Sequence, residues 1–178
     1  MLNNAQRKFY FNALGLGEYN RNNILKLQKR YFVRSMDKDG IYGTNTDRLL
    51  RSLYNVTMNS KNFKLSEFQC GCGGRYCTGY PAVVNSQLVR NLQTLRNEGG
   101  PITITSGLRC SRYNARLSGS ISRSKHTQGK AADIYCRNLT ATRGKRNALI
   151  RRWYRLPNAT YAYGNTAGMG NAVHVDVK

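Results

Sequence analysis

Only two histidines occur in this chain, and both sit in strings suited to metal ligation, so few folds can use them together. His126 lies in Ser124-Lys-His-Thr-Gln-Gly-Lys-Ala-Ala-Asp133, and His174 in Val173-His-Val-Asp-Val177. With Asp133 they make three protein ligands and leave a fourth position for water, the count of a catalytic rather than a structural zinc site. Both strings also alternate like strands. In Ala131-Ala-Asp-Ile-Tyr135, Asp133 and Tyr135 share one face while Ala132 and Ile134 turn toward a core. In Val173-His-Val-Asp-Val177, His174 and Asp176 share a face and the three valines point inward. Two such strands side by side place Asp133, His174 and Asp176 on one concave surface, and a turn at Gly129 brings His126 over it.

A zinc ion held by two imidazoles and a carboxylate lowers the pKa of bound water toward neutrality and polarises a carbonyl. The site then needs a general base and a donor or cation for the oxyanion. Residues 61–178 contain four acids: Glu67, Glu98, Asp133 and Asp176. Glu67 falls in the entry segment and Glu98 ends a helix, which leaves Asp176 as the base. Arg109, in Thr105-Ser-Gly-Leu-Arg-Cys110, is the favoured cation, since a guanidinium grips a carboxylate bidentately. Ser124, Gln128 and Tyr135 flank the ligands and are candidate substrate contacts.

Twenty-nine Lys and Arg against eight Asp and Glu give a net charge of +21. Residues 1–60 carry ten basic and four acidic side chains, and residues 61–178 carry nineteen and four. Such a field attracts polyanions without choosing among them. Neither finger spacing nor an aromatic RNA-binding signature accompanies it, so specific nucleic-acid recognition is not expected. Anionic wall polymers and an anionic membrane surface are the other candidate partners, and charge alone does not choose between them. The Arg-rich run from Arg143 to Arg155 reads as the solvated face of a helix. No apolar run is long enough to span a membrane. The N-terminus lacks an apolar segment of signal-peptide length, so synthesis as a cytoplasmic protein is expected, and any action outside the membrane would need a separate means of release.

The pattern is α+β, with a small helical unit over residues 1–56, a linker at 57–64 and a second unit over 65–178. Ile24, Leu27, Tyr31 and Phe32 recur at helical spacing. Asp37 to Gly43 is a turn in which Gly40 and Gly43 permit positive φ, and Thr44 to Asp47 offers caps for a helix with Leu49, Leu50 and Leu53 on one face. Helices are expected over Pro81–Glu98 and Arg143–Tyr154, a helical turn within Ser111–Leu117, and strands over Ile102–Thr105, Ala131–Cys136 and Ala172–Val177. The run Ile24-x-x-Leu27-Gln28, then Asp39-Gly40-Ile41-Tyr42-Gly43-x-x-Thr46-x-x-Leu49, resembles the peptidoglycan-binding domain found beside many wall hydrolases.

The pattern Ser106-Gly107-x-Arg109, Ser124-x-His126-x-x-Gly129-x-Ala131-x-Asp133, then His174-x-Asp176, resembles the LAS metallopeptidases. These are zinc D-alanyl-D-alanine carboxypeptidases and L-alanyl-D-glutamate endolysin peptidases that share a fold with the hedgehog signalling domain. The resemblance covers roughly Phe63 to Lys178. It implies a small antiparallel sheet carrying zinc on His126, Asp133 and His174, with Arg109 positioning substrate. It further implies carboxypeptidase or endopeptidase cleavage in peptidoglycan stems or cross-links, in a phage or prophage endolysin. One departure stands out. Many members carry the catalytic acid three residues before the last histidine, where this chain has Asn171, and an amide takes no proton from water. Either Asp176 supplies the base, or the chain is a non-catalytic zinc-containing wall-binding or structural protein.

Five cysteines remain: Cys70, Cys72, Cys77, Cys110 and Cys136. Gln69-Cys-Gly-Cys-Gly-Gly-Arg-Tyr-Cys77 has the look of a metal knuckle, to which Cys110 adds a fourth ligand. Disulfides with one thiol left over, and unpaired buried thiols, are the competing readings.

Overall fold

Short polar residues set the starts of the N-terminal helices. The computed structural model describes residues 1–178. Asn3 caps α1 (Asn4–Ala13) in a reciprocal box with Gln6, and Asn20 caps α2 (Arg21–Tyr31). The third helix, α3 (Thr44–Asn59), begins differently from expectation. Gly43, with φ −105°, takes the cap position, and of the two turn glycines only Gly40 has positive φ, at +72°. The expected caps are engaged elsewhere. Thr46 accepts from the buried Gln28 amide and donates to the Ile41 carbonyl, and Asp47 accepts the Leu2 backbone N–H and the Tyr42 hydroxyl.

Helix α3 buries Leu49, Leu50, Leu53 and Val56 and runs on to Asn59, through the first part of the segment expected as a linker. Its next face is tied to the chain beyond. The Val84 N–H donates to Ser52 Oγ at 3.0 Å, and Asn55 Nδ2 donates to the Val84 carbonyl at 2.8 Å. One apolar core therefore extends without a break from Leu2 and Phe11 through α3 to the valines near the C-terminus. No helix is long and apolar enough to cross a membrane.

Helix α4 (Ser86–Gly99) starts later than the apolar pattern suggests, because Asn85 accepts the N–H groups of Gln87 and Leu88 and ends the preceding extended run. Four strands follow: β1 (Thr103–Ser106), β2 (Ala131–Tyr135), β3 (Ala159–Gly164) and β4 (Val173–Val177). They form one antiparallel sheet in the order β1-β2-β4-β3. Between them lie α5 (Ser111–Asn114), α6 (Arg137–Thr140) and α7 (Arg143–Trp153). Helix α7 buries only Leu149 and Trp153, exposes Arg143 and Arg151, and leaves Arg146 and Arg152 half-buried. No element is predicted over residues 159–164, yet they form edge strand β3. A register shift between Ala159 and Ala162 breaks its alternation, and its residues are mostly half-buried, so its periodic signal is weak.

Alternation divides the sheet into two faces. Ala132, Ile134, Val173, Val175 and Val177 are buried in the core. The other face carries a row across all four strands: Ser106 opposite Asp133, Asp133 opposite His174, and His174 opposite Tyr163. His174 and Asp176 are themselves buried, so β4 is covered on both sides.

The turn that lowers His126 onto this row depends on Gly129. Its φ is +73°, and a Cβ built there would lie 2.0 Å from the Val83 carbonyl oxygen. That carbonyl is backbone held by the neighbouring run, since the Asn85 N–H donates to Gly129 O at 2.9 Å. Gly129→Ala is expected to cost about 2–3 kcal/mol, the sum of left-handed strain and a backbone displacement. For a chain of this size that lowers Tm by roughly 4–12 °C in a thermal melt. An unchanged Tm would show that the turn relaxes freely.

Candidate metal centre

The three residues expected as ligands converge, although they come from three separate segments. Asp133 and His174 face each other across β2 and β4. His126 reaches them from a turn of 3-10 helix at Lys125–Gln128. His126 Nε2 lies 3.2 Å from His174 Nδ1 and 3.2 Å from Asp133 Oδ1, and His174 Nδ1 lies 2.8 Å from the same oxygen. Nitrogen and oxygen ligands at about 2.0–2.1 Å around a tetrahedral ion are separated by roughly 3.3 Å. The three donor atoms thus already form one face of such a tetrahedron, and the set of two imidazoles and a carboxylate suits zinc.

Outer contacts fix which ring nitrogen faces inward. His126 Nδ1 is 2.7 Å from the Gly107 carbonyl and donates to it, so Nε2 is the nitrogen that faces the centre. Gly107 is needed there, because a Cβ would stand 2.6 Å from Phe68 Cα. His174 presents Nε2 to Asp176 Oδ2 at 3.4 Å, which leaves Nδ1 for the centre. Asp176 Oδ1 accepts from the Tyr161 N–H at 2.7 Å and from the Thr160 hydroxyl. The Trp153 indole donates to the Asp176 carbonyl from the far side.

Arg109 lies closer to the ligands than a pure substrate contact would. Its Nη2 donates to Asp133 Oδ2 at 2.6 Å, and its Nε donates to Ser106 Oγ at 3.0 Å. The guanidinium forms part of the wall of a cavity of about 680 Å³ that opens onto both histidines. Arg123, Lys125 and Tyr163 are on the same wall, and Asp133 and Asp176 are its only carboxylates. Ser124 is also on the wall. Tyr135 opens instead into the adjoining depression, with Ser106 and Asn171. Gln128 is exposed, its amide donating to the Arg123 carbonyl, and it does not reach the cavity. Asn171 is turned to accept from Arg146 at 2.7 Å.

Strand β3 brings residues that the sequence patterns did not single out. The Tyr163 ring stacks on the His174 imidazole at 4.7 Å between centroids, and Thr160 holds Asp176. The Thr-Tyr-Ala-Tyr alternation at 160–163 was the available signal. Of the five cysteines, Cys70, Cys72, Cys77 and Cys110 gather at a separate point, and Cys136 lies apart beneath Gly99.

Burial sets the electrostatics of the centre. It pushes the Asp133 carboxyl up, but hydrogen bonds and charge from His126 and His174 hold it well below the usual carboxylate range. Burial likewise pushes Asp176 up, and His174, Thr160 and the Tyr161 N–H bring it down overall. For His174, burial acts downward and the two carboxylates more than offset it, so its imidazole is raised above 6.5. Tyr163 is raised, first by burial and then by Asp133, and stays a phenol at neutral pH.

A sequence-family model described as Peptidase M15 matches residues 61–176. No curated protein matches the chain.

These shifts make a stability prediction for the metal-free protein. The raised His174 contributes stability that is full below pH 6.5 and is lost as pH climbs through its folded value. The lowered Asp133 and Asp176 contribute stability that is full above pH 3.8 and is lost as pH falls through theirs. Maximum stability in chelator is therefore expected between those limits, with Tm declining as pH rises past 6.5. A level or rising Tm on that alkaline limb would contradict the charge coupling among these groups.

Proposed function

The chain belongs to the peptidase M15 family, and from that membership we propose that it hydrolyses peptide bonds in bacterial peptidoglycan with a zinc ion held by His126, Asp133 and His174. The carrying observation is the convergence of His126 Nε2, Asp133 Oδ1 and His174 Nδ1 at ligand spacing on the floor of one cavity. M15 peptidases are zinc-dependent, and the donor set here fits that ion. When bound, zinc supplies water activation and carbonyl polarisation.

The remaining work falls to side chains. Asp176 is the one cavity carboxylate not already among the ligands, and we assign it as proton acceptor at Oδ2. The same oxygen faces His174 Nε2, so Asp176 also holds that ring in orientation. Tyr163 stands on the cavity wall as a protonated donor for the developing oxyanion. Arg109 steadies Asp133, and with Arg123 and Lys125 it gives the cavity a cationic wall suited to a substrate carboxylate. Peptidoglycan stem peptides carry such carboxylates.

Support for a wall substrate comes from two further features. The net charge of +21 favours adhesion to anionic wall polymers. Gln28, in the segment that resembles a peptidoglycan-binding domain, is a buried hub hydrogen-bonded to Asp39, Gly40, Ile41 and Thr46, so the matching residues form one local unit. The setting we propose is a phage or prophage endolysin acting on the wall. Asn171 favours a second reading, a zinc-containing wall-binding protein without turnover, because an amide that takes no proton stands where many members carry the catalytic acid, and it is engaged by Arg146.

Mass spectrometry of peptides released from purified peptidoglycan distinguishes the two. Chelator-sensitive release is expected, and the new termini name the bond. Zinc-loaded protein that binds walls of several chemotypes and releases nothing would establish the second reading. Asp176→Asn is expected to lower kcat by about 10²- to 10⁴-fold while zinc remains bound. Recovery of full activity in that variant at saturating zinc would reduce Asp176 to a positioning residue.

A further inference from the structure

Away from the histidine centre, four of the five thiols meet at one point. Cys70, Cys72, Cys77 and Cys110 bring their sulfurs within 4.8 Å of one another, and the Cys72 and Cys77 sulfurs are 3.5 Å apart. We infer that these four cysteines form a second metal site, a closed tetrathiolate for a soft divalent cation such as zinc. Zinc–sulfur bonds of about 2.3 Å in a tetrahedron place the sulfurs roughly 3.8 Å apart, so the cluster needs only a small contraction to close on an ion.

The backbone around the cluster is arranged for that purpose. Gly73 and Gly74 both have positive φ, at +60° and +84°, and reverse the chain between Cys72 and Cys77. The Cys70 N–H is held by the Gly79 carbonyl at 2.8 Å, which closes the loop on itself. Cys110 arrives from far along the chain, fixed by the Leu108 N–H on the Phe68 carbonyl at 2.9 Å. Its own N–H points at Cys70 Sγ at 3.3 Å, a donor that stabilises a thiolate.

Charge also favours the ionised cluster. Four thiolates around a divalent cation carry a net −2, and Arg75 and Arg116 line the opening above Cys72. Such cationic surroundings favour thiolate over thiol. Cys136 is the internal contrast. Its thiol donates to the Gly99 carbonyl at 3.4 Å, and it lies outside the cluster. The odd cysteine count therefore resolves into four ligands and one buried thiol. Two disulfides would require the four sulfurs to separate into pairs at about 2.05 Å, whereas here all of them share one neighbourhood.

The site would staple the 70–77 loop to the segment that carries Arg109. That makes it a structural site whose effect on the histidine centre runs through the position of Arg109. It stands independently of the peptidase reading, because its ligands are wholly distinct.

The test is metal stoichiometry and cobalt spectroscopy on the full chain purified under reducing conditions. Two zinc ions per chain are expected in the wild type. One is expected in His126→Ala/His174→Ala, and one in Cys72→Ser/Cys77→Ser. After cobalt substitution, sulfur-to-cobalt charge-transfer absorption should persist in the histidine variant and disappear in the cysteine variant. If the cysteine variant fails to fold, the wild type and the histidine variant still decide the matter. A fully reduced wild type without thiolate–cobalt absorption would overturn the inference.

Discussion

Asp133 is a carboxylate largely withdrawn from water, its side chain 13% exposed, and the architecture around it follows from what that partial burial demands. An ionised carboxylate removed from water must find charge-assisted partners or give up its charge. Here Oδ2 receives Arg109, and Oδ1 faces both imidazoles. The partners come from the β1–α5 connection, the turn before β2, and β4, so compensating one buried charge requires three separate segments to arrive together. Breaking any one contact leaves the others around a desolvated charge, which is why the cluster behaves as a unit.

That demand explains the covering of β4. In a small antiparallel sheet one face commonly meets solvent. In this sheet the 3-10 turn with His126 and the Arg109 loop fold over the polar face, while α4 and α7 pack against the apolar one. Two glycines make the approach feasible. Gly107 lets the chain pass against Phe68, and Gly129 lets the turn close under Val83. The same loop brings Cys110 to the sulfur cluster, so the cationic partner of Asp133 is steadied from both sides.

The N-terminal helices contribute through packing rather than by supplying residues to the cavity. Ser52 and Asn55 of α3 satisfy the backbone at Val84, and that extended run in turn supports Gly129 through Asn85. Strain or loosening in α3 is thereby linked to the His126 turn through a short chain of hydrogen bonds. The positive charge, by contrast, is spread over both halves of the chain and belongs to the surface as a whole.

Much of the site was legible in the sequence, because strand alternation is a local property. The period of two in Ala131–Tyr135 and Val173–Val177 is enough to put Asp133, His174 and Asp176 on one face, and the spacing around Gly129 places His126 near them. Three of the four strands were legible for the same reason, whereas their joining into a small antiparallel sheet was implied only by the family resemblance. Contacts between segments distant in sequence were not. Strand β3 carries a weak alternation broken by a register shift, so Tyr163 and Thr160 gave no clear sign of their places beside His174 and Asp176. Arg109 could be selected as a cation, but its pairing with Asp133 depends on where the loop after β1 turns. The sequence by itself determined which side chains share a strand face, since backbone pleating dictates that residue by residue. Only the tertiary structure decided which nitrogen of each histidine faces the centre and which four cysteines meet, because those depend on partners supplied by other segments.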